Sequence, residues 1–276
     1  LQQALHVMLD PADCGPACIS LSQDVQGETY DYPEEFFKER IHTIRRAKPD
    51  DFQIKEAVEL IKKSKKPIII SGGGVFYSDA TDELSAFAIK HNIPVTQTVM
   101  GYSTMKKDHS HYLGVIGGLG GRAANNLSKE TDTAIAIGTK LADFTTGSWA
   151  NFENPNFKLV SINAARFDAN KHMAKAIVGD AKISLMELSQ ALGDWKADDS
   201  WYKKSRVELK EWDSYVDKES APTNQKLPSY AQVIGACYRN SDSSDIAVTA
   251  AGGLVGEVIQ VWKPRELNTH ETEWGF

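Results

Sequence analysis

An apolar run, Pro67-Ile68-Ile69-Ile70-Ser71, feeds directly into Gly72-Gly73-Gly74, and that junction leaves few architectures open. Consecutive β-branched residues without polar alternation suit a strand covered on both faces, as strands of a parallel sheet are. Three glycines after such a strand let the backbone turn tightly and approach a ligand or a neighbouring helix closely. A helix is expected to begin near Ser78-Asp79, and the free amides and partial positive charge of a helix N-terminus are where an anion could sit. The spacing is not G-x-G-x-x-G, so the turn is read equally well as purely structural, and it identifies no ligand by itself.

The rest of the chain extends this pattern. Apolar runs predict strands at 67–71, 94–98, 133–138, 158–162 and 175–178, with helices at 51–65, 79–91, 120–130 and 181–192. Such alternation predicts an α/β fold, a Rossmann-like three-layer α/β/α domain with a doubly wound parallel sheet, over residues 51–195. Gly138 follows Ala134-Ile135-Ala136-Ile137 as the glycine triplet follows its isoleucines, so a second glycine turn is expected beside the first.

Partial α/β segments flank this domain. Residues 1–25 read as a helix end, a turn at Asp10-Pro11-Ala12-Asp13 and a strand at Ala17–Leu21. Residues 26–50 read as a charged linker whose Tyr30, Tyr32, Phe36 and Phe37 anchor it to a domain surface. Residues 196–226 read as a helix and linker. Residues 227–276 open a further α/β unit: a helix at 229–240, a strand at 245–249, the turn Ala250-Ala251-Gly252-Gly253, and a helix reaching Trp262. One βα step cannot bury its own strand. The start, Leu1-Gln2-Gln3-Ala4, has no initiator Met. The chain is therefore expected to be a piece of something longer.

Composition narrows the function classes. A net charge of −6 argues against general nucleic-acid binding, and no apolar run reaches the ~18 residues a membrane span needs. Three cysteines, Cys14, Cys18 and Cys237, suggest a reducing, cytoplasmic compartment and buried structural thiols rather than disulfides or a metal site. His109-Ser110-His111 has the look of a metal pair but lacks companion ligands, and is read as a surface loop ahead of Tyr112-Leu113-Gly114. Ser20, Ser71 and Ser161 lack the G-x-S-x-G elbow of a serine hydrolase. No catalytic or metal-ligating residue is assigned.

The order of segments resembles the thiamine-diphosphate-dependent enzymes of the acetolactate synthase superfamily, which join a pyrimidine-binding domain, a central domain and a pyrophosphate-binding domain. Within it, Asp10–Pro16, Gln23–Pro33, Gly72–Ser78, Gly138–Ser148 and Ala250–Leu254 look most like the branch that hydrolyses a cyclic dione in inositol catabolism. The resemblance implies that 1–25 end the pyrimidine domain, 26–50 link, 51–195 form the central domain, 196–226 link again and 227–276 begin the pyrophosphate domain. It implies thiamine diphosphate and Mg²⁺ as cofactors, a trihydroxycyclohexane-1,2-dione as substrate, C–C hydrolysis to an open-chain deoxy sugar acid, and a homo-oligomer, dimer or tetramer, in the cytoplasm. It places Gly252 and Gly253 in the loop that approaches the diphosphate.

The same resemblance places Gly72, Gly73, Gly74 and Asn163 at a nucleotide-like site. Related carboligases hold a flavin there with an Arg-rich segment. This chain has Lys140, Phe144 and Thr145 in that stretch and no Arg from 139 to 150. Lys cannot supply the planar bidentate fork, so no FAD is expected. Asn163 stands where an acidic residue would bind a ribose. The family's cofactor-activating Glu and its Gly-Asp-Gly motif have no counterpart in these residues, so the chain alone is expected to be inactive. Two other readings stay open: a carboligase acting on pyruvate, and a nucleotide-binding or assembly module of the same fold.

Overall fold

The computed structural model describes residues 1–273; Trp274, Gly275 and Phe276, the last of the predicted third unit, lie outside the described residues. The helices are α1 (Gln2–Met8), α2 (Asp51–Ile61), α3 (Gly74–Tyr77), α4 (Thr81–His91), α5 (Arg122–Glu130), α6 (Asp143–Thr146), α7 (Arg166–Ala169), α8 (Ala181–Leu192), α9 (Asp199–Glu219), α10 (Tyr230–Arg239) and α11 (Leu254–Val261). The strands are β1 (Pro67–Ser71), β2 (Val95–Gln97), β3 (Tyr112–Val115), β4 (Thr133–Ile137), β5 (Lys158–Asn163), β6 (Lys175–Val178), β7 (Ala247–Ala250) and β8 (His270–Glu273).

β1 to β6 form one parallel sheet in the order β3-β2-β1-β4-β5-β6. The chain winds outward from β1 through β2 to β3, then returns to the far side of β1 with β4. The reversal places a topological switch point between β1 and β4, where open α/β sheets bind ligands beyond the carboxyl ends of their strands. Every residue of β1 and β4 is buried. Their register sets Ile68 beside Ala134 and Ile70 beside Ala136, so a large side chain neighbours a small one along the sheet.

α2, α4 and α8 cover one face and α5 and α9 the other. Ile68, Ile69, Ile70, Leu84, Phe87, Leu127 and Ile135 are fully enclosed in one core, each contributing roughly 1.5–3 kcal/mol by leaving water. Side-chain caps set the helix starts: Asp50 accepts from the Phe52 amide, Asp180 from Ile183 and Asp198 from Ser200. Ser229 and Gln232 form a reciprocal capping box at α10. The Trp201 indole on α9 donates to the Pro67 carbonyl at 2.8 Å, tying the outer helix to the first residue of β1.

Several expectations need correction. β3 lies where no strand was expected; it is short and includes Gly114 at φ +88°, which blurs any strand signal. Ala17–Leu21 forms no strand: the segment is exposed and gains no ladder partner among the described residues. The helix expected from Ser78-Asp79 begins at Thr81, because Asp79 adopts φ +54° between α3 and α4. The predicted 51–65 helix stops at Ile61. All three cysteines are exposed rather than buried. Tyr30, Tyr32, Phe36 and Phe37 pack on one another, with ring centroids 5.0–6.3 Å apart, and stay exposed instead of anchoring to a domain. The arm joins the central domain where Arg46 pairs with Asp180 at 3.0 Å and the Asp180 amide donates to Ala47.

β7 and β8 pair in parallel, with Ala247 beside His270. α11 packs on the central domain through a cluster of Tyr102, Val115, Val255 and Ile259. A second cluster, Val216, Ile234, Val258 and Val261, joins α9, α10 and α11.

Candidate functional site

Two glycine turns were expected to matter, and they differ in kind. At the switch point the turn after β1 is filled by the turn after β4. A Cβ on Gly72 would lie 2.4 Å from the Gly138 carbonyl oxygen, and one on Gly74 would lie 2.6 Å from the Gly138 Cα. The Gly74 amide donates to the Gly138 carbonyl at 2.9 Å. Gly73 faces the Met100 carbonyl, 3.0 Å from where its Cβ would be. These glycines permit backbone to pack on backbone. Asn163, at the end of β5, donates from Nδ2 to the Thr139 carbonyl at 3.2 Å and accepts the Ala165 amide at 3.0 Å. Its amide therefore fastens the β4 and β5 loops together.

A separate contact joins the loops that follow β3 and β4. The Gly118 amide donates to Phe144, and Gly117 at φ +104° has room for no Cβ, which would stand 2.0 Å from the Phe144 carbonyl. The Asn125 side chain holds the Gly117 peptide at both ends, at 2.9 and 3.0 Å. The loops after β3 and β4 thus meet.

The Gly252-Gly253 turn between β7 and α11 is open. Gly252 sits at φ +143°, a conformation that favours glycine. A Cβ on either residue would meet no atom within 4 Å, and both residues are exposed. Gly253 is the cap residue of α11 and has no side chain to satisfy the amides that follow. It also lines a cleft of about 610 Å³ walled by Gly118–Gly120, Trp212, Tyr215, Tyr230 and Gln260. Trp212 and Tyr215 stack at 5.4 Å, and the Arg122 guanidinium lies over both rings.

His109, His111 and His270 serve structure. His109 accepts the His111 amide at Nδ1, which leaves the proton on Nε2, facing Ser85 Oγ at 2.9 Å. Burial lowers the His109 pKa. A ring that already carries its proton toward Ser85 cannot act as base for that hydroxyl. His111 was expected in a surface loop but is buried under Tyr202, with its pKa lowered to about 4, chiefly by burial. His270 is likewise pushed to about 4 by burial and stands edge-on to Tyr102 at 4.9 Å. Among the described residues no group of three or more His, Cys, Asp or Glu could hold a metal ion, and no helix is long and apolar enough to cross a membrane.

The feature that sequence reasoning missed is Tyr102. It is buried, and its hydroxyl lies 2.8 Å from the Ile259 carbonyl and 2.9 Å from the Trp262 carbonyl. No local pattern announces a contact across 157 residues of sequence.

Residues 54–188 match the central domain of thiamine pyrophosphate enzymes. Over 99% of its length the chain is 36% identical to the 3D-(3,5/4)-trihydroxycyclohexane-1,2-dione hydrolase of Clostridium tetani, covering 46% of that protein. The proteins of the same name from Geobacillus thermodenitrificans and Clostridium botulinum are 35% and 37% identical over the same share of the chain, each again covered to 46%. The chain thus spans slightly less than half the length of the curated relatives it matches.

Proposed function

We propose that the chain, whose residues 54–188 match the central domain of thiamine pyrophosphate enzymes, is the middle of a thiamine-diphosphate-dependent hydrolase that opens a trihydroxycyclohexane-1,2-dione to 5-deoxy-glucuronate in myo-inositol degradation. The observation that carries this reading is the identity to proteins of that name across 99% of the chain, arm, central domain and α11 unit alike. The cofactor, when bound, supplies the nucleophilic carbon and the electron sink that C–C cleavage needs.

The residues here fit one part of that cofactor. At the Gly252-Gly253 turn, open space stands where a Cβ would be, and the first turn of α11 follows. A helix N-terminus with bare glycine ahead of it offers amide donors and partial positive charge to a diphosphate. In this reading Gly252 and Gly253 hold the diphosphate, and Trp212, Tyr215 and Leu119 along the adjoining cleft limit the access of water. No residue of this chain is assigned to Mg²⁺ or to proton transfer, so the chain by itself binds weakly and does not turn over.

The central domain acts as a scaffold in this reading, without FAD. The Gly74 amide and the Asn163 side chain are spent on protein partners, and no Arg from 139 to 150 could pair with a phosphate. The enzyme works as a homo-oligomer, dimer or tetramer, in the cytoplasm; the exposed cluster of Tyr30, Tyr32, Phe36 and Phe37 is apolar surface of the kind that subunit contacts cover.

The test is the full-length protein assayed with thiamine diphosphate, Mg²⁺ and the cyclic trihydroxy dione, with pyruvate in parallel. Ring opening that requires thiamine diphosphate is expected. Acetolactate from pyruvate without ring opening would replace this reading with the carboligase. Neither product, with saturable nucleotide binding, would leave a binding module.

A further inference from the structure

Tyr102 stands between the two units that the proposed cofactor site needs held together. It follows the tight turn Val99–Gly101 beyond β2, at the carboxyl edge of the central sheet. Its ring packs with Val115, Val255 and Ile259, and its hydroxyl reaches the Ile259 and Trp262 carbonyls. Those carbonyls are at the C-terminal end of α11, where a helix leaves its last acceptors without internal partners. The same tyrosine meets the His270 ring on β8. One side chain thus touches the central sheet, α11 and β8.

A second anchor holds α11 from the side. Gln260 donates from Nε2 to the Leu119 carbonyl at 2.5 Å and accepts the Trp212 indole N–H at 3.1 Å. Gly121 makes room for that pair: a Cβ there would stand 2.6 Å from Trp212 Nε1 and 2.9 Å from Gln260 Oε1. Lys263, just past the helix, pairs with Asp213 on α9 at 2.5 Å. All these polar contacts fall on the last turn of α11 or beyond it. The first turn carries Val255 as its only side chain in the Tyr102 cluster and opens from the unsupported Gly252-Gly253 loop.

α11 is therefore tied by polar contacts at its C-terminal end, while apolar packing of Val255 and Ile259 on Tyr102 and of Val258 and Val261 on α9 and α10 holds the rest of it. Eight residues make a rod of about 12 Å, so a tilt of about 10° at the anchored end moves the glycine loop by about 2 Å. A shift of that size breaks hydrogen bonds to a diphosphate, whose useful lengths span only a few tenths of an ångström.

We propose that Tyr102, with Gln260 beside it, is a positioning residue: its hydroxyl locks the C-terminal end of α11 to the central domain, and so sets where the Gly252-Gly253 loop presents its amides to the cofactor diphosphate. The proposal rests on the cofactor reading given above only for the identity of the ligand. The anchor itself is a property of this chain.

The test compares Tyr102→Phe with Ile61→Val, a mild core change in α2 far from α11. Hydrogen exchange over residues 254–262 of the 276-residue chain is expected to quicken about tenfold in Tyr102→Phe, the loss of one buried hydrogen bond, and to stay at the wild-type rate relative to the rest of the fold in Ile61→Val. In the full-length protein, Tyr102→Phe is expected to raise KM for thiamine diphosphate about tenfold and leave kcat at saturating cofactor within about twofold. Unchanged exchange in α11, or the same quickening in both variants, overturns the anchor. Quickened exchange with an unchanged cofactor KM overturns the positioning role. A wild-type protein that binds no thiamine diphosphate defeats the cofactor reading, and the exchange comparison still decides the anchor.

Discussion

The amide of Gly74 donates to the carbonyl of Gly138 across 2.9 Å, and the Cα of each sits 2.6 Å from where the other's Cβ would be. Two turns that could each have cradled a ligand cradle each other. The consequence is measurable. Gly138→Ala puts a Cβ into the Gly74 backbone at φ +60°, so neither the conformation nor the space is available. A loss of about 3 kcal/mol or more is expected in urea unfolding, since backbone on both sides must move. A loss below about 1 kcal/mol would mean that the two turns part easily.

That contact marks the limit of what the sequence disclosed. Buried apolar runs such as Ile68-Ile69-Ile70 and Ala134-Ile135-Ala136-Ile137 are legible because a strand covered on both faces has no polar alternation. Tyr112–Val115 is not legible, because it is short, has Gly114 inside it and follows His-Ser-His. Ala17–Leu21 misled for the converse reason: its composition suits a strand, but a strand needs a neighbour, and this one has none among the described residues. Gly252-Gly253 could be found as a turn between a strand and a helix. The Tyr102 hydroxyl could not, because its acceptors are backbone carbonyls that carry no residue-specific signal.

Acid should loosen the chain in a defined window. His111 and His270 are buried with pKa values lowered to about 4 by burial, from about 6.5 when unfolded. Between those values the unfolded chain binds more protons than the folded one, so stability falls as pH drops from about 6.5 to about 4 and levels off below it, as far as these two groups are concerned. Each contributes roughly 1–3 kcal/mol to that loss. Urea midpoints measured from pH 7 to pH 4 check this, and His270→Gln should flatten part of the slope. A slope unchanged by that substitution would remove His270 from the account.

Trp201→Phe isolates one buried hydrogen bond. The indole N–H serves the Pro67 carbonyl at the first residue of β1, and phenylalanine keeps most of the apolar contact but leaves that acceptor unpaired. The expected loss is about 1–3 kcal/mol, read as a lower urea midpoint with an unchanged m-value. Trp201 also lies under the Lys66 ammonium, 5.5 Å from the ring centroid, and a phenyl ring retains that contact in weaker form. A loss under about 0.5 kcal/mol would show that water reaches the Pro67 carbonyl.

Gly253→Ala separates the open turn from the closed one. Gly253 sits at φ −65°, ψ −27°, where alanine is at ease, and its Cβ would meet nothing within 4 Å. Folding stability should therefore change by less than about 1 kcal/mol, in contrast to Gly138→Ala. If the loop approaches a diphosphate, the added methyl group enters the space the ligand occupies, and it cannot move without bending the start of α11. In the full-length protein, calorimetric titration should then show thiamine diphosphate bound about tenfold or more weakly, while the fold and the urea midpoint stay as they were. Unaltered cofactor affinity would take Gly253 out of the diphosphate site. A large loss of stability would show instead that the glycines of this turn, like Gly74 and Gly138, serve the fold.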